Sequence, residues 1–213
     1  ASFCPCYALG AGPLLVTAWS PGRRTVPLYV RRAALEALLA EPRTGDATVS
    51  LAGAGRADGQ RVRIVDPTTN EALPDRSVGE IWASGASVTR GYWKRDAINE
   101  AIFRARMPGD ANAWLRTGDL GFVHDGELFV TGRLKDLIIV RGRNYYPQDI
   151  ATSLQRAIPA FREGCGAAFA VSGDAGEARV LVPALERPAL RPGSHDHLFA
   201  EDRKRVVEGK GVG

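Results

Sequence analysis

The fold of this chain is decided by residues 114–150, WLRTGDLGFVHDGELFVTGRLKDLIIVRGRNYYPQDI. Near the middle of this stretch, Asp125 and Gly126 separate two apolar runs, residues 122–123 and 127–130. An Asp-Gly pair tolerates the positive φ that both central positions of a type I′ turn require. The pattern therefore predicts a β-hairpin.

The second half of the same stretch predicts a strand followed by a helix. Residues 137–140 are an apolar run, which Gly142 and Asn144 interrupt. Pro147 suits the first turn of a helix, because its missing N–H has no partner to lose there. Ile150, Leu154 and Ile158 recur every four residues and give that helix one apolar face. Two further strands are expected over residues 165–171 and 179–185.

The residues before this stretch also favour strands. Residues 61–66 (RVRIVD) alternate with period two, and residues 80–84 (EIWAS) read as a second strand. Helices are expected over residues 32–40 (RAALEALLA) and from Asp96, as its cap, to Phe103. The predicted class is α+β, with a β-rich distorted barrel over residues 44–131 and a smaller α+β unit over 132–187. Residues 188–213 read as an irregular tail, and from about residue 202 this tail is expected not to belong to the natural protein sequence.

Composition excludes several classes of protein. The 213 residues are 45% hydrophobic and 24% charged, which is a globular balance. Part of the net charge of +4 lies in the last stretch of the chain, and elsewhere basic residues are scattered among acids without a basic stripe interleaved with aromatics, so no nucleic-acid partner is expected. No apolar run approaches the roughly 18 residues of a membrane span. Cys4, Cys6 and Cys165 are too few for a zinc site and read as reduced thiols of a cytoplasmic protein.

Three blocks carry a resemblance to a known family. They are YALGAGPLLVTA at residues 7–18, VGEIWASGASVTRGYWKRDAINEAIF at 78–103, and residues 114–150. In this order they resemble the adenylate-forming (AMP-binding) enzymes. The amino-acid sequence after Arg133 looks most like that of the fatty acyl-AMP ligases. The resemblance extends from residue 3 to about 186. It implies that residues 1–131 are the C-terminal part of the large AMP-binding domain and that residues 132–187 begin the small C-terminal domain.

The resemblance implies an enzyme that adenylates a fatty acid with ATP and passes the acyl group to the thiol of an acyl carrier protein. Two alternatives stay open: a fatty acyl-CoA ligase, and a non-catalytic homologue that holds a nucleotide or a carrier protein. The family's adenylating lysine is expected beyond this sequence, since Lys210 lies in the irregular tail. No catalytic residue is therefore assigned, and the chain alone is expected to be inactive.

Three residues match nucleotide-binding positions of the family. Asp119, in Thr-Gly-Asp, is expected to accept hydrogen bonds from the ATP ribose; the alternative is an Asp that closes a turn. Arg133 is expected near ribose or phosphate, and otherwise forms a surface ion pair with Asp119 or Asp136. Tyr7 is expected to stack on adenine, and otherwise is a core tyrosine.

Further positions match moving parts of the family. Lys135 and Asp136 fall at its hinge, where the small domain rotates; the alternative is an exposed ion pair. Gly142 matches a loop of the thiol tunnel, or simply ends a strand. The family's Mg²⁺-binding glutamate corresponds to Ala11, and its phosphate-binding threonine to Pro13. Mg²⁺ is expected from the family, but these residues supply no ligand, so no metal site is assigned.

Overall fold

The computed structural model describes residues 4–11, 15–19, 27–57, 59–140, 143–158, 161–173 and 176–185. The chain divides into two compact units, unit 1 (Ala1–Lys135) and unit 2 (Asp136–Gly213). The sequence-based boundary lay after residue 131, and this division lies after residue 135.

Short antiparallel strands dominate the described residues, with three helices between them. The strands are β1 (Cys6–Tyr7), β2 (Thr17–Ala18), β3 (Leu28–Arg31), β4 (Thr48–Leu51), β5 (Arg56–Ala57), β6 (Arg61–Val65), β7 (Gly79–Ser84), β8 (Leu115–His124), β9 (Glu127–Arg133), β10 (Ile138–Val140), β11 (Arg143–Tyr145), β12 (Phe161–Gly173) and β13 (Gly176–Leu185). The helices are α1 (Arg32–Glu36), α2 (Asp96–Phe103) and α3 (Pro147–Ala157). This content confirms the predicted α+β class.

The main sheet of unit 1 is an antiparallel meander in the order β6-β7-β8-β9. Its tightest turn joins β8 to β9 at Asp125 and Gly126, whose φ angles are 51° and 74°. Both central residues are therefore left-handed, as a type I′ turn demands. The predicted hairpin is confirmed, and its strands extend further in both directions than the apolar runs alone indicated.

The strands of unit 1 do not close into a barrel. The outer edge of β9 is taken by the segment before β5, through a bridge between Gly53 and Phe129. β5 in turn pairs with β2, and β2 with β1. No ladder among the described residues joins β6 to β1 or β9. Instead of the expected distorted barrel, the described residues of unit 1 form three open sheets, β1-β2-β5, β3-β4 and β6-β7-β8-β9.

Apolar side chains cover both faces of β7, which explains why all six of its residues are buried. One cluster includes Ile81 with Tyr7 and Leu128, and the other joins Trp82 to Trp114. Adjacent residues of a strand point to opposite faces, so Ile81 and Trp82 serve different cores. A strand buried on both sides fixes the position of β8 beside it.

Helix α1 is shorter than the helix predicted over residues 32–40. Leu38 adopts a left-handed φ of 60°, and the backbone N–H of Ala40 then donates to the carbonyl of Arg76. This long-range pairing ends the helix early. Helix α2 has its predicted bounds, but its N-cap is Arg95 without a side-chain bond, so the expectation that Asp96 is the cap was wrong. Asp96 instead lies in the first turn, where a negative charge is favourable.

Unit 2 contains the hairpins β10-β11 and β12-β13 with α3 between them. Helix α3 begins at Pro147, as predicted, and packs against β12. The side-chain amide of Gln155 on α3 donates to the carbonyl of Arg162 on β12 at 3.1 Å. Of the helices described in both units, none is long and apolar enough to cross a membrane.

Candidate functional site

The Thr117-Gly118-Asp119 segment interrupts the regular ladder between β7 and β8. Glu80 pairs with Leu120 and Trp82 pairs with Arg116, so three residues of β8 lie opposite Ile81 alone. Gly118 takes a positive φ of 73° in this bulge. The Thr117 hydroxyl donates to the Ile81 carbonyl at 2.6 Å, and the Asp119 N–H donates to the same hydroxyl at 3.1 Å. The segment is therefore a hydrogen-bonded bulge and not a free loop.

A second irregularity lies on the other side of β8. The register between β8 and β9 shifts after the pair Leu120 and Gly132, so that Thr131 is extra. Just before this shift, Asp119 lies directly opposite Arg133. Bulges reorient side chains and commonly lie beside functional sites. The bulge on β9 makes Asp119 and Arg133 cross-strand partners, so their side chains lie on one face of the sheet.

Asp119 is the centre of a group of three side chains. Its Oδ2 accepts a hydrogen bond from the Tyr7 hydroxyl at 2.7 Å, and its Oδ1 lies 3.1 Å from Nε of Arg133. The Asp119 side chain is 15% exposed and that of Arg133 is 59% exposed. The structure thus brings together the three residues that the sequence assigned to nucleotide binding, and the ion pair that was the alternative for Arg133 is present.

Tyr7 lies in the core, since it is only 8% exposed and packs in the cluster with Val16 and Ile81. Burial raises the pKa of its hydroxyl well above the ordinary value of 10.0; a hydrogen bond with Thr117 lowers it, and the bond to Asp119 raises it. The phenol therefore remains protonated and donates to the carboxylate. The ring of Tyr7 thus lies in the core, as the alternative interpretation expected. Its stacking on adenine stays a prediction.

A buried glutamate, which the sequence analysis did not single out, supports the bulge from β7. Glu80 is 2% exposed, and its Oε1 accepts the backbone N–H of Gly118 at 3.1 Å. Its Oε2 accepts the indole N–H of Trp82 at 3.0 Å and Nε of Arg116 at 2.9 Å. The signal that could have revealed it is a carboxylate at the start of an otherwise apolar strand, because such groups are rarely buried without partners.

Tyr7, Asp119 and Arg133 form a polar area on one face of the sheet, which we call the edge at Asp119. This area can bind a polar ligand with adjacent hydroxyls. Each carboxylate oxygen accepts more than one hydrogen bond, so Asp119 retains acceptor capacity beside Tyr7 and Arg133. The guanidinium of Arg133 has further N–H groups directed away from its single contact. A neutral donor, an anionic acceptor and a cation thus lie within one small area.

The described residues include no group of three or more His, Cys, Asp or Glu side chains placed to hold a metal ion. At Ala11 only the backbone carbonyl is available, and it accepts bonds from the backbone and hydroxyl of Thr89 at 3.1 and 3.0 Å. Pro13 lies outside the described residues. Among the residues that the structure describes, we assign no metal ligand.

The remaining predicted positions lie at or beyond the boundary of the two units. Lys135 and Asp136 belong to a single 3-10 turn, Leu134–Asp136, and both are exposed. Unit 1 ends at Lys135 and unit 2 begins at Asp136. Gly142 lies outside the described residues, so the structure says nothing about the loop that contains it.

A cavity of about 410 Å³ lies elsewhere in unit 1. Val62, Leu73 and Leu128 are among the residues that line it, with Arg63 and Asp75 at its polar side. None of the three residues grouped at Asp119 lines it. We therefore treat the edge at Asp119, and not this cavity, as the candidate site.

Comparison with known proteins matches residues 33–93 to the model of the AMP-binding enzyme family. The medium-chain-fatty-acid–[acyl-carrier-protein] ligase JamA of Moorena producens is 37% identical over 210 residues, which are 96% of this chain and 36% of that protein. The long-chain-fatty-acid–AMP ligase FadD26 of Mycobacterium marinum is 42% identical over 192 residues, 86% of this chain and 32% of that protein. The chain thus spans about a third of the length of these curated relatives.

Solved structures agree with these sequence matches. A structure from a study of fatty acyl-adenylate ligases of E. coli and L. pneumophila superposes with a TM-score of 0.78 at 29% identity, covering 99% of this chain and 36% of that one. The fatty acid AMP ligase of Legionella pneumophila gives a TM-score of 0.61 at 34% identity, covering 97% and 36%. The same fold and the same order of sequence blocks therefore recur in named ligases. The chain belongs to the adenylate-forming, AMP-binding enzyme family, and within it is similar to the fatty acyl-AMP ligases.

Proposed function

We propose that the full-length protein carrying this sequence activates a fatty acid with ATP. A carboxylate oxygen of the acid attacks the α-phosphorus of ATP, the bond to the β-phosphate breaks, and acyl-AMP and pyrophosphate form. A thiol then attacks the acyl carbon and displaces AMP. The observation that carries this proposal is the group formed by Tyr7, Asp119 and Arg133 at one edge of the sheet.

In this proposal Asp119 holds the ribose. Two adjacent hydroxyls donate to its carboxylate, in charge-assisted hydrogen bonds that are stronger than neutral ones. Tyr7 and Arg133 orient the carboxylate, because one contacts each of its oxygens. The exposed guanidinium of Arg133 then reaches a further ribose or phosphate oxygen. Such fixed positioning of the reactants contributes much of the acceleration in acyl activation.

The acceptor in this proposal is the thiol of an acyl carrier protein. One relative is named as a ligase that uses an acyl carrier protein, and another as an AMP ligase. We further propose that Lys135 and Asp136 form the hinge on which the second domain turns, since the two compact units meet there in sequence. Under this proposal residues 1–131 are the C-terminal part of the large domain, and residues 132–187 are the beginning of the small one.

Exchange of labelled pyrophosphate into ATP tests the adenylation step. The full-length protein should exchange pyrophosphate only when a fatty acid is present. Asp119→Asn, which keeps the shape but removes the charge, should weaken ATP binding about 10- to 100-fold, corresponding to the ~1.5–3 kcal/mol of a hydrogen bond to a charged group. Asp46→Ala, at an exposed carboxylate outside the site, is the control and should exchange normally. A folded protein that shows no exchange with any carboxylic acid would refute the proposed adenylating activity.

The identity of the acceptor needs a separate measurement. The preformed acyl-AMP enzyme is offered equal concentrations of a phosphopantetheine-loaded carrier protein and of coenzyme A. We expect acyl transfer to the carrier protein to be faster. Faster transfer to coenzyme A would replace the carrier-protein acceptor with the alternative of a fatty acyl-CoA ligase.

The contact of Tyr7 with adenine is tested by two substitutions of the same residue. Tyr7→Phe keeps the ring and loses the hydroxyl, whereas Tyr7→Leu loses both. If the ring stacks on the base, ATP should bind more weakly to the Leu variant than to the Phe variant by roughly 1 kcal/mol or more, the value of one stacking contact. Equal affinities would leave Tyr7 as a core residue whose hydroxyl orients Asp119.

One observation favours a second candidate function, a non-catalytic nucleotide-binding homologue. Ala11 provides no carboxylate where the family resemblance places a metal-binding glutamate. This candidate predicts ATP binding that depends on Asp119 without any pyrophosphate exchange. The exchange assay above therefore separates the two candidates.

A further inference from the structure

Among the described residues of unit 1, the most deeply buried charged side chain is a carboxylate with no place in the proposed chemistry. Glu80 on β7 is 2% exposed. It accepts hydrogen bonds from Trp82, from Arg116 and from the backbone of Gly118. Burying an ion pair in this way is costly unless its remaining polar atoms are also bonded.

Both oxygens of Glu80 must act as acceptors. Oε2 faces the indole N–H of Trp82 and the guanidinium of Arg116, whose Nη2 lies at 2.8 Å. Oε1 faces the N–H of Gly118 at 3.1 Å. Every neighbour donates, so only a carboxylate satisfies all of them. The Arg116 guanidinium also lies 5.4 Å above the Trp82 ring, which holds it in place from the other side.

The bond to Gly118 falls where the ladder between β7 and β8 is interrupted. Residues 117–119 lie opposite Ile81 alone, so the regular cross-strand bonds to β7 are missing there. Gly118 has a φ of 73°, and a Cβ at that position would meet nothing within 4 Å, so the space beside it is open. On the β7 side, the bonds of Glu80 to Gly118 and of Thr117 to Ile81 hold the bulge.

The position of this bulge determines where Asp119 points. The Arg116 side chain shares the face of Trp82 and Glu80, whereas Asp119 lies on the opposite face with Tyr7 and Arg133. Residues three apart lie on opposite faces of any strand, because side chains alternate. Gly118 and Asp119 are joined by one peptide unit, so a displacement of Gly118 is transmitted directly to Asp119.

We propose that Glu80 is a positioning residue for nucleotide binding, which anchors the Gly118 amide and thereby aims the Asp119 carboxylate at the ribose hydroxyls. This inference rests on the proposed function, because it assumes that Asp119 binds the ribose. Glu80 acts through the backbone from the far side of the sheet and does not touch the ligand.

The test is Glu80→Gln in the full-length protein. Glutamine keeps the volume but presents one oxygen and one NH₂ group. In either orientation a donor faces another donor, at Gly118 or at Arg116 and Trp82. The quantity measured is the ratio of dissociation constants for 2′,3′-dideoxy-ATP and ATP, by calorimetric titration. This ratio isolates the ribose hydroxyls, which a general loss of stability does not affect.

We expect the wild-type protein to bind ATP about tenfold or more tightly than the dideoxy analogue, because the hydroxyls donate to a charged acceptor. Glu80→Gln should bring the ratio to within about threefold while the dideoxy analogue binds as before. Glu80→Asp, which keeps the charge but withdraws the oxygens by one methylene, should give an intermediate ratio. It decides the question if the Gln variant does not fold.

Asn99→Ala serves as the destabilised control. It removes two part-buried hydrogen bonds to the backbone of Tyr92 and none to the bulge, so its ratio should equal that of the wild type. A wild-type ratio in folded Glu80→Gln, together with a lost ratio in Asp119→Asn, overturns the role of Glu80 alone. A wild-type protein that does not distinguish the two nucleotides overturns the ribose role of Asp119, and with it the proposal for Glu80.

Discussion

Removal of the Tyr7 hydroxyl by Tyr7→Phe tests the geometry around Asp119 directly. The hydroxyl donates to Oδ2 of Asp119 at 2.7 Å, whereas the ring packs in the core and is unchanged in phenylalanine. The variant therefore loses the bond with Thr117 and a hydrogen bond to a charged group, the latter of which typically stabilises by ~1.5–3 kcal/mol. Asp119 keeps Arg133 and some access to water, so we expect a loss near the lower limit, about 1.5 kcal/mol of unfolding free energy at pH 8.

The same substitution should change how stability depends on pH. Burial raises the pKa of Tyr7 in the folded chain above the ordinary value of 10.0. The stability that its protonated form contributes is therefore fully present below pH 10, the unfolded value. It is lost as the pH rises above 10 toward the folded value, at up to about 1.4 kcal/mol per pH unit. Tyr7→Phe has no such group and does not lose this stability. The difference in unfolding free energy between the wild type and the variant therefore shrinks as the pH rises above 10.

The two effects have opposite signs, and the wild-type and variant stabilities should therefore cross near pH 11, where about 1.4 kcal/mol has been lost. Urea unfolding of the 213-residue chain, followed by tryptophan fluorescence between pH 8 and 11, measures this. All four tryptophans lie in unit 1 with Tyr7. Stabilities that fall in parallel across this range would refute the reasoning, because Tyr7 would then ionise as easily in the folded chain as in the unfolded chain.

Other substitutions test the scaffold by urea unfolding. Asn99→Ala should cost about 1–3 kcal/mol, because it leaves the backbone N–H and carbonyl of Tyr92 without their 2.7 and 2.9 Å partners; an unchanged midpoint would mean that water replaces both. Gly121→Ala should cost at least ~1–3 kcal/mol, since a Cβ would lie 2.5 Å from the carbonyl oxygen of Phe129, and a neutral result would contradict the close approach of β8 and β9. Gly126→Ala should cost only about 1–2 kcal/mol, from its φ of 74°; a larger loss would indicate that the hairpin itself had failed.

Elements governed by local chemistry were predictable from the sequence. The turn at Asp125 and Gly126, the start of α3 at Pro147 and the bounds of α2 all follow from residues within a few positions of one another. In each case the relevant energy is the conformational preference of the backbone itself. These preferences act wherever the residues occur, so no knowledge of distant partners was needed.

Elements governed by distant partners were not predictable in the same way. The sequence around Leu38 has helical composition, yet the helix ends because Ala40 bonds to Arg76. The burial of Glu80 depends on Arg116, which lies on the next strand of the sheet. A pattern of alternation shows which residues share a strand, but not which residue of another strand lies opposite.

The candidate site combines both kinds of information, and this explains why its residues could be named but not arranged. The family resemblance identified Tyr7, Asp119 and Arg133 separately, and each also had a purely structural alternative to nucleotide binding. The pairing of Asp119 with Arg133 depends on the register shift between β8 and β9, which adds Thr131 to β9. A shift by one residue moves a side chain to the other face of a sheet. Without that shift Asp119 would lie opposite Gly132, so this bulge, and the Glu80 bond to the bulge of β8, are as much a part of the site as the side chains that face the ligand.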